Sequence, residues 1–148
     1  MDTFSDEYFM QQALLEAGIA AAEDEAPVGA VIVCNDRIIA RAHNLTERLK
    51  DPTAHAEMLA ITSAAGSLGA KYLTECRLYV TVEPCVMCAG AIGWAQLATV
   101  IYGTPDEKRG FTRFAPHALH PKTKARNGIL ATECAGLMKV FFQNKRNQ

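Results

Sequence analysis

Apolar positions along this chain fall into two rhythms, one of helical period and one of strand length. From Ser5 to Glu23, the residues Phe9, Ala13, Ala17, Ala20 and Ala21 recur at helical spacing and predict a first helix. Ser5 suits an N-cap, and Asp6 and Glu7 fall in the first turn, where the helix dipole favours acids. Pro27 prevents continuation. Residues 29–34 form a short apolar run of strand length, Asn35-Asp36 is a two-residue turn, and residues 37–42 read as its antiparallel partner. His43-Asn44 close that strand, and the polar stretch Thr46 to Lys50 reads as a loop.

Asp51-Pro52 predicts the start of a second helix, with Asp as N-cap and Pro at the first helical position. It runs through Met58, Leu59, Ile61 and Thr62 toward Ala65, and Gly66 and Gly69 end it. Residues 77–82 are strong strand formers, broken by Glu83-Pro84. A third helix follows from Cys85 to about Ala95. Its Ala89, Gly90, Ala91 and Gly93 predict a close neighbour. Residues 99–102 are a further strand, closed by Gly103. Residues 104–127 form a long loop with Pro105, Pro116 and Pro121, a length that points to function. Ile129-Leu130-Ala131 reads as a short fifth strand. Thr132-Glu133 caps a last helix with Leu137, Val140 and Phe141 toward the core. Strands and helices alternate after the first hairpin. The expected class is therefore α/β, with helices covering a sheet of roughly five strands.

Composition narrows the picture. At 148 residues, with 49% hydrophobic and 21% charged, the chain is the size and make-up of one globular domain, expected to span 1–148. Such a chain can build a core without metal staples, so a metal site here points to chemistry. No apolar run reaches the roughly eighteen residues of a membrane span. The acidic start, Met1 to Glu7, lacks the basic region of a signal peptide, so a cytoplasmic location is expected. Five cysteines form no disulfide framework, and Cys34, Cys76 and Cys134 read as buried free thiols.

The net charge of −1 hides an asymmetry. Residues 1–107 hold six Lys/Arg and fifteen Asp/Glu, whereas residues 108–148 hold nine Lys/Arg and only Glu133. The balance is −9 against +8. This suits a basic face for an anionic partner, although a solvated surface offset by an acidic one gives the same numbers.

The candidate chemistry sits in two stretches. His55-Ala56-Glu57 follows Asp51-Pro52, and Pro84-Cys85-Val86-Met87-Cys88 comes thirty residues later. A catalytic zinc usually takes three protein ligands and keeps one position for water. His55, Cys85 and Cys88 supply three, and Glu57 is left as a carboxylate free to move protons. Cys85 and Cys88 lie at i, i+3 near a helix N-terminus, where thiolates are favoured. His55 and Glu57 converge only if they sit in a first turn, because an i, i+2 pair in mid-helix points apart. Two rivals use the same thiols. A redox dithiol also follows a strand and opens a helix. A structural zinc ribbon needs a fourth ligand, for which His43, His117 and His120 lack the spacing.

These motifs resemble the zinc-dependent cytidine/deoxycytidylate deaminase superfamily, and within it most nearly the bacterial tRNA-specific adenosine deaminases of the TadA type. The resemblance covers nearly the whole chain. It includes Pro27-Val28-Gly29, His43-Asn44, Leu78 to Gly90, Tyr102-Gly103 with Asp106 and Lys108, and Phe141-Phe142 with Lys145-Arg146. It implies a three-layer cytidine-deaminase-like fold with a mixed sheet and helices on both faces. It implies adenosine-to-inosine conversion at the wobble position of a tRNA anticodon stem-loop, in a homodimer with one Zn2+ per subunit. His55, Cys85 and Cys88 would bind zinc, and Glu57 would shuttle protons to and from a zinc-activated water. Asn44 would hydrogen-bond the purine ring, Val28 would pack on the base, and the backbone at Ala54 and Pro84 would line the pocket. Asp106 and Lys108 would meet anticodon nucleotides. Guanine deaminases and other free nucleobase or nucleoside deaminases share the zinc motif and form the alternative. Trp94 resembles them, whereas Val86 between the thiols and the basic Phe141-Phe142 tail do not.

Overall fold

The computed structural model describes residues 4–148, so Met1 to Thr3 of the acidic start lie outside it. The first helix, α1 (Asp6–Ala22), begins where the pattern placed it. Ser5 is the N-cap and its hydroxyl accepts the N–H of Tyr8 at 3.1 Å. Phe9, Ala13, Ala17 and Ala20 are buried, together with Met10. Strands β1 (Gly29–Cys34) and β2 (Arg37–His43) pair antiparallel. Asn35 and Asp36 between them have φ of 53° and 59°. Two consecutive left-handed residues match the right-handed twist of a two-residue hairpin, and Asn and Asp tolerate that region best among residues with a side chain.

The remaining elements are α2 (Thr46–Leu49), α3 (Ala56–Leu68), β3 (Cys76–Val82), α4 (Val86–Ala95), β4 (Thr99–Thr104), α5 (Phe111–Phe114), β5 (Lys124–Asn127) and α6 (Ala131–Arg146). The strands form one sheet in the order β2-β1-β3-β4-β5. The β1–β3 pair is antiparallel, and β3–β4 and β4–β5 are parallel, so the sheet is mixed. Alternate residues feed two cores. Ala30, Ile32, Leu78, Val80 and Val100 meet Ala60, Ala64 and Ile92 of α3 and α4. Val31, Val33, Tyr79 and Ile101 meet Phe9 and Met10 of α1 and Cys134 of α6. Burial on both faces explains why β1 reads as a continuous apolar run.

Five expectations are corrected. The stretch from Thr46 to Lys50 is not a plain loop but carries one helical turn. The second helix does not open at Asp51-Pro52. Asp51 Oδ1 instead accepts from Thr53 N at 2.8 Å and from Thr53 Oγ1 at 2.7 Å, a local turn that competes with capping. The helix begins at Ala56 with His55 as N-cap. The fifth strand is Lys124–Asn127, not 129–131. All four of its residues are exposed, so as an edge strand it carries no apolar signal. Finally, α6 starts after Leu130, whose φ is 54°, so Thr132 and Glu133 lie inside its first turn rather than before it. Leu137 and Phe141 of this helix are half-buried, whereas Val140 is exposed.

The small-residue helix does have its close neighbour. A Cβ on Gly93 would overlap the carbonyl oxygen of Ala118, from the segment that crosses α4. Cys76 and Cys134 are buried and Cys34 is half-buried, and burial pushes the first two thiols up to about 12. Among the described residues no helix is long and apolar enough to cross a membrane.

Candidate active site

Two helix N-termini face each other beside the sheet. His55 and Cys85 are the N-cap residues of α3 and α4, both with extended backbone (φ of −72° and −74°). An N-cap side chain is not bound to helical geometry. His55 therefore turns toward the thiols while Glu57, in the first turn, reaches the same space. His55 Nδ1 lies 3.6 Å from Cys85 Sγ and 3.5 Å from Cys88 Sγ. The ligand atoms of all three residues lie within 4.8 Å of one another, the one such group among the described residues that could hold a metal ion. A tetrahedral zinc, with bonds of about 2.3 Å to sulfur and about 2.05 Å to nitrogen, sets those atoms about 3.6 Å apart. The residues present therefore fit zinc.

The electrostatics suit a cation. The Cys85 thiol is held down to about 4 by the hydrogen bond from Cys88, against burial, with His55 helping. Cys88 is pushed up by the same shared proton and by burial. His55 is raised, chiefly by Cys85 and against its own burial. Glu57 is 3% exposed, and burial pushes its carboxyl up to about 7, opposed by its own backbone N–H and by His55. A carboxyl near neutrality can both take and return a proton.

The group opens onto a cavity of about 590 Å³. Val28, Asn44 and Asp106 line it along with His55, Glu57 and Cys85. Ala54 and Pro84 do not line it, and both are buried behind it. Ala54 O accepts the N–H of Leu45 at 3.0 Å, and Pro84 O accepts that of Phe111 at 2.9 Å. Lys108 is exposed outside the cavity, whereas its neighbour Arg109 is on the wall, as are Met138 and Phe142 of α6. His43 stands at the end of β2 away from the metal group. Its Nδ1 lies 3.2 Å from Glu16 Oε1 and its Nε2 3.3 Å from Glu23 Oε1.

Two buried carboxylates, Glu83 on the cavity wall and Glu25 beside it, hold the backbone of neighbouring segments. Glu25, 1% exposed, accepts the N–H groups of Glu47 and Arg48 at the start of α2, at 2.9 and 2.7 Å. Glu83, 5% exposed, accepts the N–H of Asp106 at 3.0 Å and holds Thr112 through its N–H and hydroxyl. Glu25 ends an acidic run, and nothing in that run marks the one carboxylate that turns inward.

The metal group, the thiolate-favouring helix ends and the buried acid define a zinc-dependent deaminase site. The family model described as the cytidine and deoxycytidylate deaminase zinc-binding region matches residues 3–104, and the chain belongs to that family. Within it the chain is similar to the tRNA-specific adenosine deaminase of Aquifex aeolicus, with 44% identity over 95% of this chain and 96% of that one. The chloroplastic tRNA(adenine(34)) deaminase of Arabidopsis thaliana is 43% identical over 93% of this chain, which spans 12% of that longer protein. A structure solved in a study of A-to-I editing by tRNA:A34 deaminases superposes with a TM-score of 0.83, at 41% identity over 88% of this chain and 98% of that one. Guanine deaminase from Bacillus subtilis superposes with a TM-score of 0.65, at 44% identity over 67% of this chain and 64% of that one.

Proposed function

We propose that this chain hydrolyses adenosine to inosine at the wobble position of a tRNA anticodon, releasing ammonia. The observation that carries this is the 44% identity to the Aquifex aeolicus enzyme over nearly the full length of both chains. His55, Cys85 and Cys88 would hold one zinc ion per subunit, which would supply the Lewis acidity that makes water a nucleophile near neutral pH. Glu57 takes one proton from the attacking water and delivers it to N1 of the purine, then takes a second from the hydroxyl formed at C6 and delivers it to the departing amino group. Attack at C6 consumes the ring double bond to N1, and the amine leaves only once protonated. General acid–base help of this kind contributes about 10² to 10⁴ in rate. Val28 supplies an apolar wall for the base, and Asn44 a polar contact. Asp106 on the cavity wall and Lys108 just outside it lie on the loop that meets the anticodon strand.

Incubation with an anticodon stem-loop bearing a wobble adenosine, assayed for inosine, tests this directly. No inosine from the stem-loop, with ammonia released from free guanine instead, would establish the second reading. That reading is favoured by the likeness to the Bacillus subtilis guanine deaminase.

The proposal extends to assembly and place. Residues 1–148 act as one domain in the cytoplasm and pair as a homodimer. Trp94, 83% exposed, supports the pairing, as do its apolar neighbours Ile61, Tyr72 and Ala91 around a shallow groove on α3 and α4. Light scattering should give twice the chain mass, and Trp94→Glu should reduce it to one.

A further inference from the structure

Two thiols that the metal group does not use face each other across the sheet. Cys34 ends β1 and Cys76 opens β3, and the two are direct partners in the antiparallel pairing of those strands. Opposite residues point to the same face, and both thiols lie against the core cluster beneath α3 and α4. Antiparallel strands come closest at pairs that exchange no backbone hydrogen bonds. Cys34 and Cys76 are such a pair. Cys76 N donates to Leu73 O at 3.0 Å and Cys76 O accepts from Ala98 N at 3.0 Å, so neither group turns to β1. Cys34 stands opposite Arg37 across the Asn35-Asp36 turn. A two-residue turn closes through the backbone of its flanking residues, which directs that of Cys34 to β2. The Cα atoms of a pair without mutual hydrogen bonds stand about 4.5 Å apart, at the short end of the roughly 4.4–6.8 Å that a disulfide spans.

The two sulfurs differ in access and in acidity. Cys34 is half-buried and reachable by a small oxidant, whereas Cys76 is 1% exposed. Burial and the neighbouring Cys34 thiol push Cys76 up to about 12, which suits the second sulfur to react rather than the first. We propose that Cys34 and Cys76 form a reversible oxidation site, joined as a cross-strand disulfide when the protein meets hydrogen peroxide and parted again by a dithiol. The Cys34 thiolate attacks one peroxide oxygen, the O–O bond breaks, and the hydroxide released takes the Cys34 proton and leaves as water. Cys76 then loses its proton and attacks the sulfur of the resulting sulfenic acid. The S–S bond forms, the S–O bond breaks, and the departing hydroxide takes the Cys76 proton as a second water. Each sulfur gives up one electron, and the peroxide gains both. A dithiol reverses the link by exchange and is itself oxidised to a disulfide. The short Cα spacing strains the link and keeps it reducible, as a transient disulfide in a reducing compartment requires.

The pair lies away from the chemistry. Val28 before β1 and Val82 at the end of β3 line the cavity. Cys34 and Cys76 each lie six residues along an extended strand from them, a distance of about 20 Å. The link therefore ties the hairpin to β3 without touching the metal group.

The experiment treats the full-length, zinc-loaded protein with hydrogen peroxide, blocks free thiols with N-ethylmaleimide and digests with trypsin without reductant. Trypsin places Cys34 in the peptide 1–37 and Cys76 in 72–77, separate from Cys85 and Cys88 in 78–108. Mass spectrometry should find 1–37 joined to 72–77, two hydrogens lighter than their sum, and dithiothreitol should release both. Zinc content should not change. Cys34→Ser should abolish the link, and Cys76→Ser should leave a sulfenic acid at Cys34 that dimedone traps. Dimedone capture at Cys34 of the wild type with no joined peptide would overturn the proposal, because the first sulfur would then react without reaching the second. An unreacted Cys34, with oxidation confined to 78–108, would overturn it as well. Zinc lost in step with the link would refute the placement of the pair outside the site. None of these readouts depends on which base the chain deaminates.

Discussion

Glu83 receives the hydroxyl of Thr112 at 2.7 Å and its N–H at 3.0 Å, so a buried carboxylate at the end of β3 folds the loop that carries Asp106. Gly110 makes the approach possible, since a Cβ there would overlap the Glu83 carboxylate. Glu83→Ala should cost about 2–4 kcal/mol, because three donors lose their partner. Gly110→Ala should cost about 1–3 kcal/mol by overpacking. Urea denaturation measures both. KM for the stem-loop should rise in each, since the loop no longer has one position.

Glu57→Gln should keep zinc and lose turnover by about 10² to 10⁴. Elemental analysis beside a single-turnover assay separates the two. Loss of the metal along with the activity would make Glu57 a ligand rather than a proton carrier.

Zinc-free protein should expose one unusually reactive thiol. Cys85 is held down to about 4, whereas burial pushes Cys76 and Cys134 up to about 12. Iodoacetamide at pH 6 should therefore label Cys85 first, with mass spectrometry locating the adduct. Added zinc should protect it. Equal labelling with and without zinc would place the metal elsewhere.

Asp6 closes the fold across the sheet. Its Oδ1 accepts the Tyr79 hydroxyl at 2.6 Å and its Oδ2 accepts Arg126 Nη2 at 2.8 Å, joining α1 to β3 and β5. Burial pushes its carboxyl up, but these hydrogen bonds and the arginine charge outweigh that and leave it below 3.8. A carboxyl lowered by folding stabilises the protein fully above its unfolded value and loses this as pH falls through the folded one. Asp6→Asn should cost about 1 kcal/mol at pH 7. The gap to wild type should hold down to about pH 4 and narrow below it, as thermal melts across that range would record.

Binding of the stem-loop should weaken steeply with salt. The segment from 108 to 148 carries nine Lys/Arg, and Arg109 stands on the cavity wall. Each phosphate contact on a single strand contributes about −0.7 to the slope of log K against log salt. Arg109→Ala should flatten that slope by about one contact. A flat dependence in wild type would remove the basic face from RNA binding.

The amino-acid pattern by itself determined α1, β1, the Asn35-Asp36 turn, β2, β3, α4, β4 and the metal group. Each of these is written locally, in periodicity, in turn residues or in ligand type and spacing. His55, Glu57, Cys85 and Cys88 were legible because zinc chemistry admits few side chains at few spacings. The tertiary structure alone decided the rest. The polar β5 is a strand only because β4 offers it an edge to pair with. Asp51 serves a turn rather than a cap because its own side chain reaches Thr53 first. Glu25 and Glu83 look like solvated acids in the sequence, and burial with backbone donors far along the chain makes them braces for the segments beside the cavity. Hydrogen-bond accounting of that kind exists only after the chain has folded.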